Sequence, residues 1–332
     1  MGTILSGIQP SNIITLGNYI GAIRSWVDMQ SQHDSYFCIV DMHAVTVDKE
    51  PDLLRESIYR AAAAYIACGI DPDKSTIFMQ SSVSAHAEIG WLLQCHTPLG
   101  WLNRMTQFKE KAGKKKDQAY AGLYTYPVLM AGDILLYDTT HVPVGDDQKQ
   151  HVELTRDIAQ SINQKYDQDI FVMPEPVIAK VGARIMSLRD ASNKMSKSDP
   201  SDYSRINLLD DADTIAKKIR KAKTDPEVLP ATPAGLEGRS EAANLVTIYA
   251  IMSGQTIEET LTEFAGKPFS EFKPTLADLL IEKLEPISRR MDDLLADRGE
   301  LERILKKGSD AAAEKAETTL HRLKAAMGFI EL

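Results

Sequence analysis

A chain of 332 residues with 43% hydrophobic content has enough apolar material for a sizeable core and the length of about two domains. Its net charge of −9 excludes a general electrostatic attraction to nucleic acid, so any such partner must be met by local basic patches. The opening residues form no secretory signal and no apolar run reaches the ~18–20 residues of a membrane helix, so a cytoplasmic protein with no membrane partner is expected. Three cysteines, Cys38, Cys68 and Cys95, without any C-x-x-C pair, argue against a disulfide framework or a zinc site; no protein-held metal is expected.

In chain order, Thr3-Ile4-Leu5-Ser6 reads as a short strand ending in a turn that carries Gly7, Pro10, Ser11 and Asn12. Thr15 suits the N-cap of a helix through Tyr19, Ile23 and Val27. Tyr36-Phe37-Cys38-Ile39-Val40 is a continuous apolar run of the kind a buried parallel strand needs. Pro51 opens a helix through Leu54, Ile58 and Ala62, and Ser75-Thr76-Ile77-Phe78-Met79 is a further strand. This alternation predicts an α/β chain with a Rossmann-like, doubly wound parallel sheet, whose ligands bind at the carboxyl ends of the strands. After about residue 200 helical periodicity replaces it: 210–223 places Ile215, Ile219 and Ala222 on one face, 226–239 reads as a loop, and 310–327 is an amphipathic helix. The second domain is thus expected to be mostly α-helical.

Two polar segments carry chemistry. The turn from Gly7 to Asn18 leads into a helix N-terminus, where backbone N–H groups and the dipole favour phosphate. Thr15 and Asn18 stand one helical turn apart and are placed to donate to phosphate oxygens, although a plain strand–turn–helix with a threonine cap has the same look. The second segment is Lys194-Met195-Ser196-Lys197-Ser198, whose lysines can follow charge building on a leaving pyrophosphate; a solvated loop is the bland alternative. Two basic runs stand out: Arg104, Lys109, Lys111, Lys114, Lys115 and Lys116, and then Lys217, Lys218, Arg220, Lys221 and Lys223, the latter with no acid among its residues. Such runs are more often solvated faces than binding sites.

Taken together, Thr15-Leu16-Gly17-Asn18 and Lys194-Met195-Ser196-Lys197-Ser198 resemble the two signatures of class I aminoacyl-tRNA synthetases, and the chain is similar to bacterial-type tryptophanyl-tRNA synthetases in particular. The likeness extends through Gly7-Ile8-Gln9-Pro10-Ser11, Cys38-Ile39-Val40-Asp41, Met105-Thr106-Gln107-Phe108-Lys109, Asp133-Ile134-Leu135-Leu136-Tyr137, Val142-Pro143-Val144-Gly145 and Gly182-Ala183-Arg184-Ile185-Met186. Gly132 stands where relatives commonly carry alanine.

The resemblance implies a tryptophan–tRNA ligase that forms tryptophanyl-adenylate from ATP, with Mg²⁺ on the phosphates, and passes the acyl group to tRNA(Trp). Tyr126, Met130 and Asp133 share one helix face. The resemblance makes Asp133 the acceptor for the indole N–H, a donor-only group that phenylalanine lacks, which would leave the carboxylate unpaired. Leu5, Gly7, Gln9, His43, Tyr126, Met130, Ile134, Val142, Val144 and Gln148 are implied around it, His43 as a wall of the pocket and not a base. For ATP it implies Gln9, Pro10, Ser11, Gly17, Asn18, Gly145, Asp146, Asp147, Ile185 through its backbone, and Lys194, Met195, Ser196, Lys197 and Ser198. Thr15, Asn18, Lys111, Lys194 and Lys197 are implied in catalysis. It further implies a homodimer, for which the apolar residues Ile89, Trp91, Leu92, Leu93, Leu99 and Trp101 are candidates. The expected division is 1–190 catalytic, with a dimerisation segment at about 80–125; 191–200 the lysine-serine loop; 201–290 a helical anticodon-binding domain; and 291–332 helices packing back on the first. A tyrosyl-tRNA synthetase is the near rival, and a catalytically silent relative that only binds is the distant one.

Overall fold

The computed structural model describes every residue except 1, 12, 107–118, 146–147, 179–183, 198 and 331–332. Five parallel strands, β1 (Thr3–Ile8), β2 (Asp34–Ile39), β3 (Ser75–Met79), β4 (His141–Val144) and β5 (Glu175–Ile178), form one sheet in the order β3-β2-β1-β4-β5. The order reverses between β1 and β4, so the crevice outside their carboxyl ends is the ligand position of an open α/β sheet. The predicted Rossmann-like sheet is therefore present. After β5 every regular element among the described residues is helical.

Thr15 caps α1 (Leu16–Asn18), which runs through a π-helical turn (Tyr19–Ile23) into α2 (Arg24–Met29). Next come a short α3 (Asp41–Ala44) and α4 (Pro51–Ala67). Pro51 fits the first turn of α4 because its missing N–H would be unsatisfied there anyway. Following β3, α5 (Ala85–Gln94), α6 (Leu99–Leu102) and α7 (Ala121–Leu135) precede β4, and α8 (Lys149–Tyr166) precedes β5. The helical half contains α9 (Ala212–Lys221), α10 (Ser240–Ser253), α11 (Ile257–Phe264), α12 (Phe269–Ala296) and α13 (Arg298–Met327).

Two apolar cores flank the sheet. One joins Trp26, Phe37 and the four alanines 61–64 of α4 to Ile206, Ile215, Leu245, Phe272 and Leu301, so the strand half and the helical half share an unbroken interior. The other packs Cys38, Phe78 and Tyr137 against α5, α7, α8 and the last turns of α13. Where α13 crosses β3 it does so at Gly308, and a side chain there would run into the Ile77 carbonyl oxygen. Gly132 has a similar reason: a Cβ at that position would lie 2.7 Å from Ile89 Cγ2, so glycine lets α7 sit close to α5.

Candidate functional site

The site starts at the end of β1. Gly7 lies so near β2 that a Cβ would strike the Cys38 carbonyl. The buried Tyr65 hydroxyl accepts from the Ile8 N–H at 2.8 Å and donates to the Cys38 carbonyl at 3.1 Å, tying the two strand ends together. The following turn is braced by Ser11 Oγ, which donates to the Ile13 carbonyl at 2.8 Å. It is clamped to residues 206–208 by Leu16 N–H to Ile206 O at 2.8 Å and Leu208 N–H to Ile14 O at 2.9 Å.

Thr15, expected as a phosphate donor, forms a cap at the start of α1. Its hydroxyl donates to Asn18 Oδ1 at 3.0 Å and accepts from the Asn18 N–H at 3.3 Å, while the Thr15 N–H donates to the same Oδ1 at 3.0 Å. This is a reciprocal capping box in a buried position, and it commits the threonine to the helix start. Only the Asn18 amide NH₂ is left over from the pair among the described residues.

Beside this turn lies a cavity of about 380 Å³ at the β1/β4 switch point. All eleven residues implied for tryptophan line it: Leu5, Gly7 and Gln9 from β1 and its turn, His43 from α3, Tyr126, Met130, Asp133 and Ile134 from α7, Val142 and Val144 from β4, and Gln148. Four of these lie on α7; the crossover of the sheet brings the others to them. The walls are mainly apolar, with a buried carboxylate on one side and amides at Gln9 and Gln148. The Gln9 amide donates to the His43 carbonyl at 3.0 Å, and Tyr126 Oη lies 3.0 Å from His151 Nε2.

Asp133 is 3% exposed and does not stand alone. Its Oδ1 accepts from Gln80 Nε2 at 2.8 Å and from His86 Nδ1 at 2.6 Å, and its Oδ2 from His43 Nε2 at 2.7 Å. Burial pushes the carboxyl up, but the imidazoles of His43 and His86 outweigh it and hold the group well below the usual carboxylate range. The expectation that a side chain without a ring N–H leaves this carboxylate unpaired is therefore corrected: three protein donors remain on it. His43 is more than a wall, being one of those donors. Sequence reasoning missed Gln80, His86 and Tyr137, whose hydroxyl meets His86 Nε2 at 2.8 Å. A buried histidine in an apolar helix carries no signal of its own until its partners are in place.

The second signature sits across α1. Met195 N–H donates to the Ile185 carbonyl at 2.9 Å, Lys194 pairs with Met186 in an isolated bridge, and Asn244 holds both the N–H and the C=O of Met186 at 2.9 Å. A Cβ on Gly17 would lie 3.5 Å from Met195 Cβ, so the two signatures touch through these residues. Ile185 was expected to act through its backbone; its side chain is buried and its carbonyl is engaged by Met195. Ser196 is half-buried, and Lys194 and Lys197 are exposed. The Lys197 ammonium is nonetheless partly desolvated and faces a like charge. Desolvation first, and then the like charge of Lys49, lower it to about 8.

Lys49 is a second residue missed from sequence, where it lies unremarked between Asp48 and Glu50. Its Nζ donates to the carbonyl of the buried Pro10 at 3.1 Å, and with Ser11 it lines a cleft of about 610 Å³. Gln9 and Gly145 open onto the first cavity. Lys111, Asp146, Asp147 and Ser198 lie outside the described residues, as do Lys109, Lys114, Lys115 and Lys116.

The basic helix α9 is not the uniform face its sequence suggests. Lys218 is 2% exposed and paired with Asp202 at 2.7 Å and Asp210 at 2.6 Å, and Lys223 is paired with Glu241 at 2.7 Å. The acids absent from the run come from neighbouring elements. Lys217, Arg220 and Lys221 stay exposed and have no acidic partner among the described residues, with the Lys217 and Lys221 ammonium groups over the Tyr203 ring.

Comparison with known proteins matches this geometry. Residues 2–285 fit the family model described as tRNA synthetases class I (W and Y). The tryptophan–tRNA ligase of Caulobacter vibrioides is 54% identical over 327 residues, covering 98% of this chain and 95% of that one. The crystal structure of the Mycoplasma pneumoniae tryptophanyl-tRNA synthetase superposes with a TM-score of 0.88 at 34% identity, over 99% of this chain and 98% of that one. The Campylobacter jejuni enzyme, complexed with ADP and tryptophan, does so with 0.84 at 33%, over 98% and 100%. By sequence and by architecture alike, the chain belongs to the class I tRNA synthetases, in their tryptophanyl branch.

Proposed function

We propose that tryptophan enters the cavity of about 380 Å³ with its indole N–H toward Asp133, and that ATP lies across the Gly7–Asn18 turn toward the lysine-serine loop. The observation that carries this reading is the convergence of eleven residues from five separate stretches of chain on one cavity that ends at an ionised, buried carboxylate. The tryptophan carboxylate attacks the α-phosphorus in line. A bond forms from carboxylate oxygen to phosphorus, and the bond from phosphorus to the bridging oxygen breaks, releasing pyrophosphate. The 2′-OH of the terminal tRNA adenosine then displaces AMP, the 2′ position following from class I resemblance. No residue need take a proton in the first step, so positioning and charge stabilisation carry it.

Gln9, Tyr126 and Gln148 orient the amino acid, Asn18 offers its NH₂ to phosphate, and Lys194 and Lys197 meet the charge on the leaving pyrophosphate. Mg²⁺ carried by the ATP phosphates belongs to the same proposal, as do roles for Lys111, Asp146, Asp147 and Ser198. Pyrophosphate exchange with each of the twenty amino acids tests the reading. Exchange dependent on tryptophan alone supports it, and exchange with tyrosine would transfer the chain to the neighbouring specificity.

A homodimer is proposed on narrower ground than the sequence offered. Ile89, Leu92 and Leu93 are buried in the subunit's own core and Trp101 is half-buried, but Trp91 and Leu99 are 66% and 69% exposed, with Tyr120 also in the open. Large side chains left in water in this way suit a two-fold interface. Sedimentation at micromolar concentration should give twice the chain mass, and Trp91→Glu together with Leu99→Glu should shift it toward the monomer.

For tRNA the footprint is redrawn to Lys217, Arg220 and Lys221. Lys217→Ala with Lys221→Ala should weaken tRNA binding and lower the slope of log K against log salt by roughly 0.7–0.9 for each phosphate that is no longer neutralised. Pyrophosphate exchange should be unchanged. An unaltered slope would move the footprint to another face. Lys218 is left out of this set because its ion pairs hold α9 to the 202–210 segment.

A further inference from the structure

The Asp133 carboxylate is supported from behind by residues that do not reach the cavity. Gln80 and His86 are fully buried and absent from the cavity wall, whereas His43 and Asp133 line it. A carboxylate offers about four acceptor positions. Oδ1 is filled by Gln80 and His86, while Oδ2 carries His43 alone, so the remaining position is on Oδ2, the oxygen shared with a cavity residue.

The two rear donors are themselves fixed. An ionised carboxylate only accepts, so the His86 proton that faces it sits on Nδ1. The Tyr137 hydroxyl meets the opposite nitrogen, Nε2, at 2.8 Å and braces the ring from behind. The other tautomer would set a lone pair against a carboxylate oxygen at 2.6 Å. The His86 ring is further stacked on Phe78, with centroids 5.9 Å apart. The Gln80 amide is oriented in the same way, because its Oε1 accepts from the Met42 N–H at 3.1 Å and leaves the NH₂ for Asp133.

We infer that Gln80 and His86, the latter braced by Tyr137, are positioning residues that aim one acceptor of Asp133 into the cavity and so set selectivity for a side chain bearing a ring N–H. This rests on the reading of the cavity as the tryptophan site. Without the rear donors the carboxylate is free to rotate toward His43, and the acceptor is no longer in one place. Orientation of a binding carboxylate by partners behind it follows the same physics that fixes metal ligands through outer-shell hydrogen bonds.

The test compares tryptophan with its isostere in which sulfur replaces the ring N–H, by pyrophosphate exchange. The parent protein should prefer tryptophan. His86→Leu should reduce that preference by about tenfold or more, through a higher KM for tryptophan, with the sulfur isostere little affected. His86→Asn, whose amide can donate to Oδ1, should restore much of it, and Tyr137→Phe should lower it by a smaller factor. A merely structural role would depress both substrates together and leave their ratio intact; that result overturns the inference. Should His86→Leu fail to fold, as seen in its thermal unfolding, Tyr137→Phe removes a single oxygen and decides by itself. Asp133→Asn separates the two levels of argument. If it leaves the ratio unchanged, the tryptophan-site reading fails. If it collapses the ratio while the His86 and Tyr137 variants do not, only the positioning role fails.

Discussion

Asp133→Asn should lower kcat/KM for tryptophan activation by on the order of a hundredfold. Three donors converge on the native carboxylate, from Gln80, His86 and His43. An amide has one acceptor and one donor end, so whichever way it lies, an N–H group faces at least one of these donors. A hydrogen bond to a charged acceptor is worth ~1.5–3 kcal/mol, and a buried donor left unsatisfied costs ~1–3 kcal/mol. With tenfold in rate for each ~1.4 kcal/mol, the upper end of the first range gives that factor, and the unsatisfied donor acts on stability. Part of the loss should also appear as a lower unfolding temperature, because the site is buried in the core beside β2 and α7. Steady-state exchange kinetics and a thermal melt measure the two components. Native-like kinetics for tryptophan in a folded variant would remove Asp133 from the pocket.

Lys197→Ala should reduce the rate of adenylate formation by roughly 10²–10³ while leaving tryptophan affinity within a few-fold, since a preorganised donor to developing charge contributes mainly in the transition state. The pH dependence has a definite sign. Desolvation and the like charge of Lys49 lower the ammonium to about 8, and the charged form is the one that meets phosphate. kcat/KM for ATP should therefore be at its plateau near pH 7 and fall as pH rises through about 8. Lys49→Met removes the neighbouring like charge and should move that fall to higher pH, whereas Lys197→Ala should abolish it. Stopped-flow adenylation and a pH profile of ATP kcat/KM provide the measurement. Collapse of tryptophan binding with an unchanged adenylation rate would put Lys197 in another role.

Local rules were enough wherever one element answers to its own residues. The third strand at Ser75–Met79, the Thr15 cap, the Pro51 helix start and the helical second half are visible in periodicity and cap chemistry, because a strand or helix must bury one pattern of side chains. The same holds for Tyr126, Met130 and Asp133, which share a helix face by spacing alone. Family resemblance supplied the membership of the cavity and the two signatures, residues that no periodicity connects.

Tertiary structure decided the rest. The strand at His141–Val144 contains Pro143, which argues against a central strand on local grounds, yet it pairs on both sides. Lys218 carries the same charge as Lys217 in the sequence, but only the fold turns it inward onto Asp202 and Asp210. His86 and Gln80 look like ordinary core until the chain brings them to Asp133, 47 and 53 residues away. For β4, which pairs with β1, and for Asp133 the deciding partner is distant in sequence. Propensity and pattern report how a segment meets water and its own backbone, whereas pairing of buried polar groups depends on which segments the sheet and its crossovers bring within ~3 Å of one another.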